Sequence, residues 1–424
     1  MAAMDASRHA LRVTMVNKYY SPPHLGGVEA VVRTLSEGLV EHAGARVRAL
    51  VCNEAPTGRS DVVGGVRVLR LPRLFSVSSA PVAPGLPAAL RAEAALRGPL
   101  GLEPPDILHF HAPYPWGELA FLFARPDLPS VVLYHSDIVR QKRLLAVYGP
   151  FLERFLDRVD IIVTSSPDMV RHSPMLAPRA AKCRVVPFGL PEAKLTAGPG
   201  VAARAAELRA AHGGRHIVLF VGRLVYYKGV DVLLEAMKEV DADLVLVGRG
   251  PLEDELRRRA SESGVRATFL PPQDDGELAA WYHAADVFCL PSVARSEAFG
   301  LVQIEAHAAG TPVVSTALPT GVPFANLDGV TGLVVPPGAA APLAGALRRL
   351  LDDAELRRRL GGQARARVVR DFTVPRMVAG TIEVYREAAE VHARRTGRPV
   401  AWPEWPAAGP DPPGAAAGAA EGAS

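Results

Sequence analysis

Short apolar runs that alternate with helical periodicity constrain this chain more than any other feature of its sequence. Thirteen such runs, mostly four to six residues long and rich in Val, Ile and Leu, are spread along it. In the first half they are Leu11–Val16, Val47–Cys52, Val66–Leu71, Ile107–Phe110, Val131–Tyr134, Ile161–Thr164 and Val185–Phe188. In the second half they are Ile217–Val221, Leu244–Val247, Ala267–Leu270, Val287–Leu290, Val313–Ser315 and Leu333–Val335. A continuous apolar run of this length suits a parallel strand buried on both faces. Segments with helical spacing lie between them, among them Val28–Val40, Leu144–Leu156, Val230–Val240 and Leu301–Ala309. Alternating strand and helix mean an α/β fold built from open, doubly wound sheets. Thirteen strands are too many for one such sheet, so two domains of six or seven strands are more economical. The best linker is Pro191–Pro199, which leads into Gly200 and has no apolar periodicity.

One helix falls outside that two-block scheme. Thr373 can cap it, Pro375 sits in its first turn, and Met377, Val378, Thr381, Ile382 and Tyr385 line one face. The stretch from Thr396 to Ser424 is rich in Ala, Gly and Pro and is expected to be a disordered tail. Pro81–Leu100 is also Pro- and Ala-rich and reads as a mobile segment followed by a short helix.

Composition narrows the class further. Hydrophobic residues are 49% and charged residues 22%, which excludes wholesale disorder. No apolar run reaches the roughly 18 residues of a membrane-spanning helix, and Met1–Arg12 lacks the apolar stretch of a secretory signal. Three widely separated cysteines, Cys52, Cys183 and Cys289, argue against a disulfide framework or a zinc ribbon and fit a reducing cytoplasm. Residues 1–200 hold 23 Lys and Arg against 17 Asp and Glu, whereas residues 201–424 hold 25 against 27. The basic excess suits an acidic ligand or an anionic membrane surface, or is the solvated face of an Arg-rich chain. No nucleic-acid-binding signature accompanies it.

Four groups of residues can carry chemistry. Gly26-Gly27-Val28-Glu29 follows the first strand and opens a helix. Glycines there let backbone approach an anion at a helix N-terminus, or simply satisfy a turn that needs positive φ. Gly222 to Gly229 fills the loop between strand Ile217–Val221 and the next helix, and there Arg223 and Lys228 could both reach one diphosphate. Solvated loop cations are the alternative. The stretch Glu297 to Glu305 places one carboxylate in an entry loop and another on the second helical turn, with Gly310 as the C-terminal cap and Pro312 beyond. One carboxylate can meet a sugar while the other accepts from a ribose diol, and the amides of Gly300, Leu301 and Val302 offer a site for phosphate or sugar. A helix-start acid and a surface glutamate would look the same by spacing. Finally, His109, His111 and His135 stand at strand ends, where they read as hydrogen-bonding or acid/base groups rather than metal ligands, since no HExxH spacing supports a metal. His109 also reads as a packed residue.

Taken together, these residues resemble the retaining GT-B glycosyltransferases of family 4, which include bacterial mannosyltransferases, and the resemblance covers roughly residues 11–390. Its most specific block is Ser296 to Ala306, continued by Ala309-Gly310-Thr311-Pro312-Val313-Val314, which matches the E-x7-E element. Gly222-Arg223-Leu224 with Lys228-Gly229-Val230-Asp231, the loop Gly26 to Glu29, and Val247 to Pro251 match further hallmarks in the same order. The resemblance implies two Rossmann-like domains facing a cleft. Residues 1–195 would form the acceptor domain and 200–372 the nucleotide-sugar domain, with a crossover helix at 373–392 returning to the first and a tail at 396–424. It implies that Arg223, Lys228 and the Gly27 amide bind the diphosphate and that Glu305 takes the ribose. Glu297 and the Phe299-Gly300-Leu301 backbone would hold the donor sugar, and His135 would sit beside the reacting carbon. His111 and Asp137 are placed on the acceptor side.

The implied reaction moves a hexose, mannose or a related sugar, from a GDP- or UDP-sugar to a hydroxyl of a glycan or lipid-linked glycan. No cofactor or metal is expected. The stretch Tyr134 to Lys142 is similar to members that build polysaccharide or O-antigen chains on lipid carriers. With Arg140, Lys142 and Arg143 it suggests a cytoplasmic protein in peripheral contact with the inner membrane face through its N-terminal domain. Two alternatives remain open on sequence grounds: a nucleotide-sugar 2-epimerase of the same fold, and a non-catalytic sugar-nucleotide-binding partner. A dehydrogenase is disfavoured because no G-x-G-x-x-G follows the first strand.

Overall fold

The structure is a computed structural model that describes residues 10–23, 26–77, 80–95, 103–138, 142–195, 198 and 200–398, the side chains of 142–145 excepted. Its strands are β1 (Arg12–Val16), β2 (Arg46–Cys52), β3 (Arg59–Val63), β4 (Val66–Leu71), β5 (Phe75–Val77), β6 (Ala80–Val82), β7 (Ile107–Ala112), β8 (Ser130–Tyr134), β9 (Ile161–Thr164) and β10 (Cys183–Val185), then β11 (Ile217–Val221), β12 (Asp243–Val247), β13 (Ala267–Leu270), β14 (Val287–Leu290), β15 (Val313–Thr316) and β16 (Gly332–Val335). They build two large sheets. The first runs β10-β9-β8-β7-β1-β2-β4-β3, and the second β13-β12-β11-β14-β15-β16. The second is wholly parallel, and in the first only β3 is antiparallel, against β4.

Each sheet reverses its strand order once, between β1 and β7 in the first and between β11 and β14 in the second. Helices leave opposite faces of the sheet on either side of such a point, so a crevice opens beyond the carboxyl ends of those strands. The segments entering the two crevices are therefore fixed by topology. They are the loop after β1, the ends of β7 and β8, and the loops after β11 and β14.

Three strands escape the apolar-run reading. β3 is an exposed edge strand of sequence Arg-Ser-Asp-Val-Val, and an edge that faces water needs no continuous apolar run. Its signal lay in the turn instead: Gly64 and Gly65 both take positive φ, 55° and 78°, as a two-residue hairpin loop requires. β5 and β6 form a separate hairpin within or beside the stretch expected to be mobile. The helix Leu86–Ala94 follows, burying Leu86 and Leu90, and Trp116 Nε1 donates to the Ala83 carbonyl at 2.6 Å. That part of Pro81–Leu100 is thus packed, while residues 96–100 lie outside the described residues. The run Val185–Phe188 is also displaced, because β10 ends at Val185 and Pro187 has no N–H to continue the ladder. Within Pro191–Pro199, Glu192–Leu195 forms one helical turn.

The chain crosses between the sheets twice, side by side. Leu190 and Thr373 form a parallel bridge, and the Leu190 amide donates to Phe372 at 2.8 Å. The helix Val374–Thr396 then lies on the first sheet, with Met377, Val378, Thr381, Ile382 and Tyr385 buried. Arg395 meets Asp160 at 3.2 Å, and Arg184 pairs with Glu387. Thr373 sits at the N-cap position but its side chain accepts no capping bond, and the helix continues past residue 392, so Thr396 belongs to it rather than to the tail. The tail beyond residue 398 lies outside the described residues. Under the cleft the two halves share apolar packing. Phe188 meets Phe299 edge-on at 5.1 Å, and Phe299 meets Phe372 at 6.1 Å. Such aromatic pairs add about 0.5–1.5 kcal/mol each beyond their burial.

Candidate active site

A cleft of about 340 Å³ lies where the two crevices face each other. Gly26, Gly27, His135 and Phe188 line it from the first half, and Arg223, Lys228 and the stretch Ser296–Val302 from the second. Eight of the residues singled out in the sequence, Gly27, His135, Arg223, Lys228, Glu297, Phe299, Gly300 and Leu301, therefore share one cavity.

The ionic wall comes from the second sheet. After β11 the chain turns through Gly222 and a short 3-10 segment, Tyr226–Lys228, which folds Lys228 back into the protein. Its Nζ lies 2.5 Å from Glu297 Oε2, and both side chains are buried. Ser292 Oγ donates to the same oxygen at 3.1 Å. Glu297 and Lys228 are thus in contact, although the sequence suggested separate parts for them. A buried pair of this kind is held by mutual attraction against a desolvation penalty, so removing either partner strands the other. Arg223 lines the cleft without an ion-pair partner among the described residues. Gly300 takes φ 74° at the N-cap of the helix Leu301–Ala308, and a Cβ there would lie 2.5 Å from Leu290 Cδ2. The glycine brings the first amides of that helix to the cleft edge.

The neutral wall comes from the first sheet. His135 follows β8, and its amide donates to Ala112 at 2.8 Å. Its ring stacks on Phe188, centroids 5.9 Å apart, and its Nε2 lies 3.1 Å from His111 Nδ1. Burial, with the Lys18 charge second, holds the His135 pKa down at about 3, so the ring is neutral at any ordinary pH. His111 is buried behind it and does not line the cleft; burial, then its neighbours His109 and His135, hold it neutral too.

Two further residues lie off the cleft. Glu305 accepts from Lys194 Nζ at 2.7 Å and from Tyr282 Oη at 2.8 Å. It faces an adjoining cavity of about 370 Å³, which shares Leu301 with the cleft. Asp137 accepts from Tyr134 Oη at 3.1 Å, Ser173 Oγ at 2.6 Å and Arg295 Nη2 at 2.7 Å, so its carboxylate ties the two halves together. Sequence reasoning missed Lys194, Tyr282, Ser292, Arg295 and Phe188. Each acts through a partner more than four residues away, and no local pattern marks such a pairing. Among the described residues no three His, Cys, Asp or Glu side chains converge to hold a metal ion, and no helix is long and apolar enough to cross a membrane.

Comparison with known proteins assigns this arrangement to a family. The family described as Glycosyl transferase 4-like domain matches residues 26–189, and Glycosyl transferases group 1 matches residues 206–367. The O-antigen chain mannosyltransferase C of Escherichia coli is 34% identical over 383 residues, 90% of this chain and 99% of that protein. The D-rhamnosyltransferase WbpZ of Pseudomonas aeruginosa is 38% identical over 269 residues, 63% of this chain and 70% of that protein. Among solved structures, the sucrose-phosphate synthase of Thermosynechococcus elongatus superimposes with TM-score 0.74 at 26% identity, covering 89% of this chain and 98% of that one. The chain belongs to the family-4 glycosyltransferases and has the GT-B fold.

Proposed function

We propose that this glycosyltransferase moves a hexose, mannose or a close relative, from a GDP- or UDP-sugar to a hydroxyl of a glycan or lipid-linked glycan, with retention at the anomeric carbon. The observation that carries the reading is the cleft itself, which sets Arg223, Lys228 and the Gly300–Val302 backbone opposite His135 and Gly27. Cleaving the anomeric C–O bond leaves negative charge on the departing diphosphate. Arg223, Lys228 and the helix-end amides face that charge, and each such donor is worth about 2.7–4 kcal/mol in comparable sites. These cations serve in place of a metal ion. As the diphosphate engages Lys228, Glu297 is released to accept from a sugar hydroxyl. Glu305 would then exchange Lys194 for the ribose diol. In a front-face reaction the leaving phosphate takes the acceptor proton, so no separate base is required.

The relatives named for O-antigen mannose and for rhamnose transfer support a polysaccharide-type acceptor. A lipid carrier on that acceptor is supported by the first domain, where an apolar groove of about 430 Å³ opens beside the His135 loop. Val82, Trp116, Leu119, Ile138 and Phe151 line it, and Val147 on its rim is 71% exposed. A lipid-linked acceptor would lay its chain there, with the protein resting on the inner membrane face. The basic residues Arg140, Lys142 and Arg143, assigned to that contact from the sequence, lie outside the residues whose side chains are described.

The test is calorimetric titration with GDP-mannose, UDP-glucose, UDP-N-acetylglucosamine and NAD, with and without Arg223→Ala. One sugar nucleotide should bind and the variant should lose it. NMR of the transferred product should then show the anomeric configuration of the donor. Binding of NAD alone overturns the donor assignment, and an inverted product overturns retention.

A further inference from the structure

The His135 ring is one end of a buried series, joined by hydrogen bonds and ring stacking, that starts on the crossover helix. Tyr385 Oη lies 2.6 Å from His109 Nδ1. His109 and His111 are two residues apart on β7, so they share a face of the sheet, and their rings stack at 4.7 Å with 7° between planes. His111 Nδ1 then meets His135 Nε2 at 3.1 Å. Tyr385, His109, His111 and His135 are all buried, and among the described residues His109 Nε2 and His111 Nε2 have no hydrogen-bond partner.

The tautomers follow from this network. Two neutral imidazoles that face each other nitrogen to nitrogen share one proton. If His135 Nε2 carried it, His111 would bear its own proton on Nε2, and that buried N–H would have no acceptor. If His111 Nδ1 carries it, the atom left over on His111 is a bare lone pair. Orphaned buried N–H groups are the rarer of the two in folded proteins. Tyr385 Oη engages His109 Nδ1, so His109 is anchored from the crossover helix whichever of the two donates. His135 then has its Nε2 occupied as an acceptor and presents Nδ1–H to the cleft.

We propose that His111, held by His109 and Tyr385, is a positioning residue that makes His135 a hydrogen-bond donor and prevents it from acting as a base. The chemical partner is an oxygen, a hydroxyl or phosphate oxygen of the bound sugar nucleotide. The tautomer assignment stands on the apoprotein alone, whereas its effect on turnover rests on the glycosyl-transfer reading. The proposal also connects the crossover helix to the reacting centre, since Tyr385 is the only member of the series from outside the first sheet and its flanking loops.

The experiment uses full-length protein labelled with ¹⁵N at histidine, with the His135 signals assigned by their loss in His135→Gln. In the free wild-type protein, His135 should show a protonated Nδ1 and a bare Nε2. In His111→Phe the more usual Nε2–H form should appear. Turnover should then fall by about 10²-fold, the lower end for the loss of one preorganised hydrogen-bond donor, with donor binding by calorimetry changed little. His111→Asn restores an N–H at the position of Nδ1 and should recover most of that loss. A protonated Nε2 on His135 in wild type overturns the proposal, as does wild-type turnover in a folded His111→Phe protein whose His135→Gln counterpart is impaired. The expected tautomer in a protein that binds no sugar nucleotide would leave the positioning role of His111 standing and overturn the transfer reading instead.

Discussion

On one side of the cleft the functional side chains are ionic, and on the other they are neutral. The second domain buries Lys228 against Glu297 and leaves Arg223 facing the cavity. The first domain offers His135 from a stack of imidazoles that burial keeps uncharged, and beside it an apolar groove. The difference matches the two fates of charge in sugar transfer. The diphosphate leaves with negative charge and needs cations in place before the bond breaks. In the proposed reaction the sugar and its acceptor would be held by hydrogen bonds and apolar contact, for which a neutral N–H donor suffices and a fixed cation would repel the developing positive charge.

Removing the ionic side should have the largest effect. Lys228→Ala is expected to lower kcat by about 10²–10³-fold, in line with the loss of one preorganised donor, and to lower the thermal midpoint because Glu297 is left buried alone. Lys228→Met with Glu297→Gln should regain stability but not turnover, as steady-state kinetics and thermal unfolding together will show. Equal losses of stability and turnover in both variants would assign Lys228 to structure only. Glu305→Ala should be next, weakening donor binding by about 1.5–3 kcal/mol, the usual worth of hydrogen bonds to a charged group. Calorimetry with the bound sugar nucleotide reads this directly, and an unchanged Kd removes the ribose role.

The neutral side is probed by the groove. Phe151→Glu should raise KM for a lipid-linked acceptor about tenfold, since fully burying one aromatic side chain is worth roughly 1.5–3 kcal/mol, while a short water-soluble acceptor should be used as before. Identical effects on both acceptors would mean that the groove holds no lipid chain.

The most general effect is on pH. His109, His111, His135 and His307 are held neutral in the folded protein, whereas in the unfolded chain they take up protons near pH 6.5. As pH falls from about 6.5 toward 3, the unfolded state therefore binds more protons and stability falls, by at most about 1.4 kcal/mol per pH unit for each histidine. Buried Glu118 works in the opposite sense. Burial raises its pKa to about 7, so the folded state protonates first and stability from this group grows as pH falls from 7 toward the ordinary carboxylate range. Four histidines outweigh one carboxyl, and the thermal midpoint should drop between pH 6.5 and 4.5. A flat profile in scanning calorimetry would mean that the imidazoles are not buried as described.

Much of this was legible before any coordinates. Buried parallel strands require continuous apolar runs, so the two sheets stood out, and β3 escaped because an edge strand does not. The loops after β11 and β14 were legible because their chemistry is local: Arg223 and Lys228 are five residues apart, and Glu297 and Glu305 eight. The sequence also marked His111 and His135 as strand-end residues: His135 does follow β8 and lines the cleft, whereas β7 runs on to Ala112 and holds His111 behind it. It read His109 as packed, which its burial bears out, yet gave no hint of its bond to Tyr385, 276 residues away.

What the sequence determined by itself, then, was what has a short period or a short reach: the buried strands, the loops that enter the cleft and the residue types that line it. Tertiary structure alone decided the pairings: Lys228 with Glu297, Lys194 and Tyr282 with Glu305, Arg295 with Asp137, and Tyr385 with the imidazole stack. The reason is physical. Local order follows from backbone sterics and side-chain periodicity, which neighbouring residues carry. The protonation state and partner of a buried polar group depend on what the rest of the chain packs around it, and no stretch of sequence carries that information.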